Sequence, residues 1–131
     1  MKLVYIAGPF RGTNSWEVER NVRRAEGLAL QVWQNGAACI CPHTNTRFYQ
    51  GAADDTVWLE GDLEILRRCD AVVATWNWPS SQGARAEIEL ATHLNMPVFY
   101  TEPAADGGCV LPYAFYRWLA MTIPTEDRVS I

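Results

Sequence analysis

Two acidic residues stand where acidic residues are costly. At about 100° per residue, Trp58, Leu59, Ile65, Leu66 and Cys69 share one arc of a helix, with Glu60, Glu64, Arg67 and Arg68 opposite. Asp62 falls inside the apolar arc. In the following helix Ala84, Ile88, Leu90, Ala91 and Leu94 share an arc, and Glu87 falls inside it. Arg85, Glu89, Thr92 and His93 take the other face. Arg85 and Glu89 are spaced to pair across one turn, and His93 reads as a surface residue. Burying a lone charge costs several kcal/mol unless it is paired or takes up a proton. Two readings of Asp62 and Glu87 are therefore open. One is a structural ion pair, with Arg11 a candidate partner for Glu87. The other is a ligand cavity, where a partly desolvated carboxylate serves as nucleophile or general base.

Other reactive or recognising groups lie in loops. The segment Ala7-Gly8-Pro9-Phe10-Arg11-Gly12-Thr13 sets two glycines and an arginine just ahead of a helix. It has neither the Gly-Lys-Ser/Thr ending of a phosphate loop nor a Gly-x-Gly-x-x-Gly fingerprint. Its backbone N–H groups with Arg11 can hold an anion, or it is a plain turn with a solvated arginine. Ser80 and Ser81 precede the Glu87 helix, where a serine caps the helix and can also face an anion. Trp76 and Trp78 flank Asn77; they can stack on a planar base, pack, or line an oligomer interface. Cys39-x-Cys41-x-His43 is not a standard zinc spacing and lacks an evident fourth ligand, so no metal is expected. His43 itself reads as a loop histidine.

The elements that must position these groups alternate between strand and helix. Leu3 to Ala7 is an apolar strand ending at Gly8-Pro9. Asn14, with Glu17 three residues on, opens a helix. Val18, Val22, Ala25, Ala29 and Val32 then recur at helical spacing until Asn35-Gly36. Ala37 to Cys41 is a strand, 43 to 56 a loop, and Val57 to Arg68 a helix. Asp70 to Thr75 is a strand, Trp76 to Ser81 a turn, Gly83 to Leu94 a helix ended by Asn95, and Pro97 to Tyr100 a strand. Val110 to Met121 reads as a helix and 122 to 131 as irregular. Strands joined by helices pair in parallel. The expected fold is an α/β three-layer sandwich with a parallel sheet, Rossmann-like or flavodoxin-like, in one domain over 1–131. Ligands of such folds bind beyond the carboxyl ends of the strands. That rule selects Gly8 to Asn14, Pro42 to Asp55, and Trp76 to Gly83.

Composition narrows the partners. A chain of 131 residues with 49% hydrophobic and 20% charged residues builds one core and is not disordered. A formal charge of -4 argues against a sequence-blind grip on polymeric nucleic acid. Lys2 is the only lysine among eleven basic residues; arginine suits bidentate anion recognition, and genome composition produces the same bias. Apolar runs fall far short of the roughly 18–20 residues of a membrane span. A cytoplasmic setting with reduced cysteines is expected.

Val4-Tyr5-Ile6-Ala7-Gly8-Pro9, Asp62-Leu63 before Cys69-Asp70-Ala71-Val72-Val73, and Ser81-Gln82-Gly83-Ala84-Arg85-Ala86-Glu87 follow in that order. Together they resemble the nucleoside 2-deoxyribosyltransferase superfamily over roughly residues 3 to 100. The resemblance implies that Glu87 is a nucleophile toward the anomeric carbon of a (deoxy)ribose, forming a covalent glycosyl-enzyme. It implies that Tyr5 orients Glu87, and that Asp62 contacts the sugar or helps protonate the departing base. Ser81 stands where the transferases carry an Asp that handles the base. With Arg11 and Gly12 this is similar to 2'-deoxynucleoside 5'-monophosphate N-hydrolases, although Pro9 replaces a small polar residue. Short phage and bacterial relatives share these motifs. The implied function is hydrolysis of the N-glycosidic bond of a (deoxy)nucleoside 5'-monophosphate. A deoxyribosyltransferase and a non-catalytic nucleotide-binding or sensor module are the alternatives. Gly8, Pro9, Phe10, Arg11, Gly12, His43, Trp76, Asn77, Ser81 and Gly83 are the expected substrate contacts. No cofactor is implied; a homodimer or larger homo-oligomer is.

Overall fold

In Leu3-Val4-Tyr5-Ile6-Ala7 the single polar side-chain group is the tyrosine hydroxyl, as suits a strand covered on both faces. These residues form β1 (Leu3–Ala7) of the computed structural model, which describes residues 1–122. β2 (Ala38–Ile40), β3 (Ala71–Ala74) and β4 (Val98–Tyr100) join it in a parallel sheet of order β2-β1-β3-β4. Tyr5 is level with Ile40 on one side and Val72 on the other. Asp70 accepts the Leu3 N–H at 2.8 Å, tying the starts of β1 and β3 together.

Alternation along the strands sends side chains to two helical layers. Val4, Ile6, Ala71, Val73 and Phe99 pack with α1 (Ser15–Gln34) and α5 (Tyr113–Thr122). Tyr5, Ala7, Val72 and Ala74 pack with α3 (Asp55–Arg67) and α4 (Gln82–His93). The expected α/β sandwich with a parallel sheet is thus formed. On α1, Val22, Ala25, Leu28, Ala29 and Val32 are the buried stripe. Asn14 accepts the Glu17 N–H at 2.9 Å, while Glu17 accepts from Thr13 at 2.7 Å, one residue earlier than in the usual capping box. Asn95, at φ 56, takes the left-handed position after α4.

The structure corrects several boundaries. The segment expected as a loop over 43–56 holds a short helix, α2 (Pro42–Asn45), and a 3-10 turn over Arg47–Tyr49. Pro42 opens α2, because its fixed φ suits a first helical position. The turn after β3 holds a second 3-10 turn, Trp78–Ser80. Leu59 and Leu94 leave their apolar arcs and are 51% and 43% exposed, since α3 and α4 bury narrower stripes than the wheel assigns. Val110 is not helical: β5 (Glu102–Pro103) and β6 (Cys109–Val110) form an antiparallel hairpin before α5. Its Gly107, at φ 86, needs a glycine. The hairpin is tied to α1 by Arg24 Nε on the Gly107 carbonyl at 2.9 Å and Gln31 Nε2 on the Cys109 carbonyl at 2.8 Å. α5 includes Thr122, which the sequence assigns to the irregular tail, and the rest of that tail lies outside the described residues. Among the described residues no helix is long and apolar enough to cross a membrane.

The carboxyl ends of β1 and β3 meet tightly. A Cβ on Gly8 would lie 2.4 Å from Thr75 Oγ1 and 2.8 Å from its Cγ2. Thr75 is buried and donates to Asn77 Oδ1 at 2.9 Å, so it has no free rotamer to retreat into. Gly8→Ala is expected to lose about 1–3 kcal/mol in urea unfolding. Part of that loss returns in the Gly8→Ala/Thr75→Ala double variant; simple additivity would refute this contact as its cause.

Candidate active site

The sheet order reverses direction between β1 and β3, so the crevice outside their carboxyl ends is the topological switch point. Three segments reach it: the loop after β1, the start of α2, and the loop leading into α4. Ser81 begins α4 by accepting the Ala84 N–H at 3.1 Å, which fixes where Glu87 falls on the helix. Glu87 lies in the second turn and points back to β1.

There Tyr5 donates its hydroxyl hydrogen bond to Glu87 Oε2. Tyr5 is fully buried, so the carboxylate supplies the acceptor that water cannot. Asp62, on α3, is close enough that its charge acts on both groups. Among the described residues neither Asp62 nor Glu87 forms an ion pair, so the structural reading through Arg11 is not realised. Arg11 pairs instead with Asp55, the first residue of α3, at an exposed position. Arg85 does not pair with Glu89; it donates to the Pro79 carbonyl at 2.6 Å, bracing the turn before α4.

The missing cation shows in the electrostatics. Burial first, and the Asp62 charge after it, push Glu87 up to about 8, against the opposing hydrogen bond from Tyr5. Taken as a whole residue, Glu87 is partly buried, not fully enclosed. Burial pushes Asp62 up to about 6. Burial, then the Glu87 charge, push Tyr5 far above its ordinary value, so it stays a donor.

His43 is buried, not a loosely held loop histidine: Nε2 lies 3.0 Å from both the Gly8 and Pro9 carbonyls. The neutral ring, kept so by burial, donates to these carbonyls and braces the loop that carries Phe10, Arg11 and Gly12. Gly12 lies against Glu17, where a Cβ would come within 2.4 Å of the Glu17 Cβ. Asn77 shapes the turn, accepting from Thr75 and, through its carbonyl, from Ser80 Oγ at 2.8 Å. Trp76 is drawn aside to the hairpin, its Nε1 on the Gly107 carbonyl at 3.3 Å and Arg24 over its ring at 4.9 Å. Gly83 sits in the first turn of α4, with only Ser81 Oγ near its absent Cβ at 3.8 Å.

Trp58, whose place on an apolar arc predicts packing, sets its ring 5.7 Å from that of Tyr49. It lies one turn before Asp62 on α3, a spacing already legible in the sequence. Burial pushes the Cys39 thiol up to about 12 and the Cys41 thiol up to about 11. Among the described residues no group of three or more His, Cys, Asp and Glu is placed to hold a metal ion.

Comparison with known proteins adds a family and a fold. A family model described as a domain of unknown function, DUF7768, matches residues 2–101. No curated protein matches the chain. The 2-desoxiribosyltransferase from Leishmania mexicana is 18% identical at a TM-score of 0.57, covering 86% of this chain and 80% of that one. The 2-deoxyribosyltransferase of Bacillus psychrosaccharolyticus is 21% identical at 0.57, covering 79% and 74%. A conserved protein from Enterococcus faecalis V583 is 21% identical at 0.65, covering 97% and 78%. These likenesses establish a shared fold.

A carboxyl group held at about 8 makes stability depend on pH. Between its ordinary value and about 8 the folded chain binds more protons here than the unfolded chain, so this contribution falls as pH rises through that window. Glu87→Gln removes the dependence. Its denaturation midpoint is expected to gain on wild type from about pH 5 to about pH 9; a constant difference would contradict the burial of this group.

Proposed function

We propose that this chain, which belongs to the DUF7768 family of unknown function, cleaves N-glycosidic bonds of nucleoside-type small molecules, with a (deoxy)nucleoside 5'-monophosphate as the substrate. The observation that carries the reading is the Tyr5–Glu87 hydrogen bond beside Asp62, with no cation among the described residues paired to either carboxylate, at the switch point of the sheet. The shared fold with 2-deoxyribosyltransferases supports it.

In this reading the sugar's anomeric carbon faces Glu87. Tyr5 holds Oε2, leaving Oε1 to attack. The C–N bond breaks, the electron pair leaves with the base, and an ester forms between Glu87 and the anomeric carbon. Asp62 contacts the sugar or delivers the proton the base takes up. Water then attacks the same carbon, loses its proton and releases Glu87, giving overall retention. The 5'-phosphate is assigned to the α4 N-terminus around Ser81 and Gly83, together with Arg11. An exposed pair such as Arg11–Asp55 contributes little, so a phosphate can take over the guanidinium.

The test incubates pure protein with each ribo- and deoxyribonucleoside 5'-monophosphate and follows free base by chromatography, with and without a second base as acceptor. Free base from wild type alone, abolished in Glu87→Ala by at least about a thousandfold, is the expected result. A new nucleoside formed only with the added base points to transfer. Ligand-induced thermal stabilisation without base release points to a binding module.

The pH profile tests the arrangement separately. Glu87 must be ionised to attack, so kcat/KM is expected to rise with pH toward about 8. Tyr5→Phe removes the hydrogen bond that lowers Glu87, moving the rise to higher pH; Asp62→Asn removes the charge that raises it, moving the rise to lower pH. Shifts of the same sign in both variants would refute these roles.

A further inference from the structure

Among the described residues, one buried side-chain polar atom has no hydrogen-bond partner: Nε1 of Trp58. Indole N–H groups ordinarily find an acceptor when buried, and a stranded donor is costly. The position of this one matters. Trp58, Asp62 and Leu66 are successive turns of one α3 stripe. Leu66, at the bottom, packs in the same cluster as Tyr5. Asp62, in the middle, acts on Tyr5 and Glu87. α3 runs from the carboxyl edge of the sheet to its amino edge, so Trp58 stands about 6 Å nearer the carboxyl edge than Asp62. Tyr49, half-exposed in the turn after α2, sets its ring 5.7 Å from that of Trp58. An aromatic pair with one unpartnered buried donor thus lies one turn along α3 from Asp62, toward the carboxyl edge of the sheet.

We propose that Trp58 selects the leaving group: its Nε1–H donates to an acceptor heteroatom on the edge of a planar heterocyclic base seated above Asp62 and Glu87. This rests on the glycosidase reading above and names the group that reads the base. Tyr49 flanks the same base. The free protein leaves the donor unmet, and the complex satisfies it.

Removing the donor therefore acts in opposite directions on the free protein and on the complex. Trp58→Phe keeps an aromatic ring and deletes the N–H. Benzothienylalanine placed at position 58 by nonsense suppression deletes it with the shape retained. Both are assayed for base release across the monophosphate panel and for thermal midpoint without ligand. The expected result is a ten- to hundredfold lower kcat/KM, about the range of one unmet hydrogen bond, carried mainly by KM. The unliganded midpoint of the benzothienylalanine protein is unchanged or higher. Base release within twofold of wild type in both variants overturns the assignment and leaves the glycosidase reading intact. So does a lower unliganded midpoint with the isosteric residue, which would mark a structural role. Wild-type protein that neither cleaves nor is stabilised by any monophosphate overturns both.

Discussion

The Tyr5 hydroxyl lies in a strand covered on both faces, so its partner has to come from the protein. That requirement reaches far along the chain. α4 must start where Ser81 caps it, or Glu87 misses the hydroxyl. β1 and β3 must be neighbours, which brings Gly8 against Thr75 and leaves no room for a side chain between them. The loop after Gly8 is then held by His43 from the far side of β1.

The same contact leaves the site electrically unfinished. A structural carboxylate in this position would be matched by an arginine, and ten arginines are present in the chain. Those near the crevice are occupied elsewhere: Arg11 with Asp55, Arg85 with the Pro79 carbonyl, Arg24 with the hairpin. Among the described residues this leaves two carboxyl groups raised by burial and, one turn along α3 from Asp62, a buried indole N–H without a partner. Such frustration is retained where a ligand relieves it.

The sandwich and its parallel sheet were legible because each strand is a short apolar run between turn residues, and each helix repeats its apolar positions. Asp62 and Glu87 were legible as exceptions to those repeats. The Tyr5–Glu87 contact was not readable from spacing, since it joins a strand to a helix across the sheet; only the family resemblance pointed to it. α2 was missed because four residues show no period, and the hairpin at 102–110 because two-residue strands show no alternation. The orphaned Trp58 nitrogen was invisible for a different reason. An apolar arc counts an indole as packing and ignores its N–H.

The order β2-β1-β3-β4 also bears on how the chain is made. No strand of this sheet pairs through a tight hairpin; each must wait for a helix to be synthesised first. Tyr5 and Glu87 are separated by 82 positions. At 5–20 residues per second, translation leaves roughly 4 to 16 s between them. During that interval α1, α3 and β3 are made, but the helix that carries Glu87 is not yet complete. A nascent fragment that stops short of α4 therefore carries a tyrosine hydroxyl without Glu87 to meet it, so this contact forms only once α4 has been made.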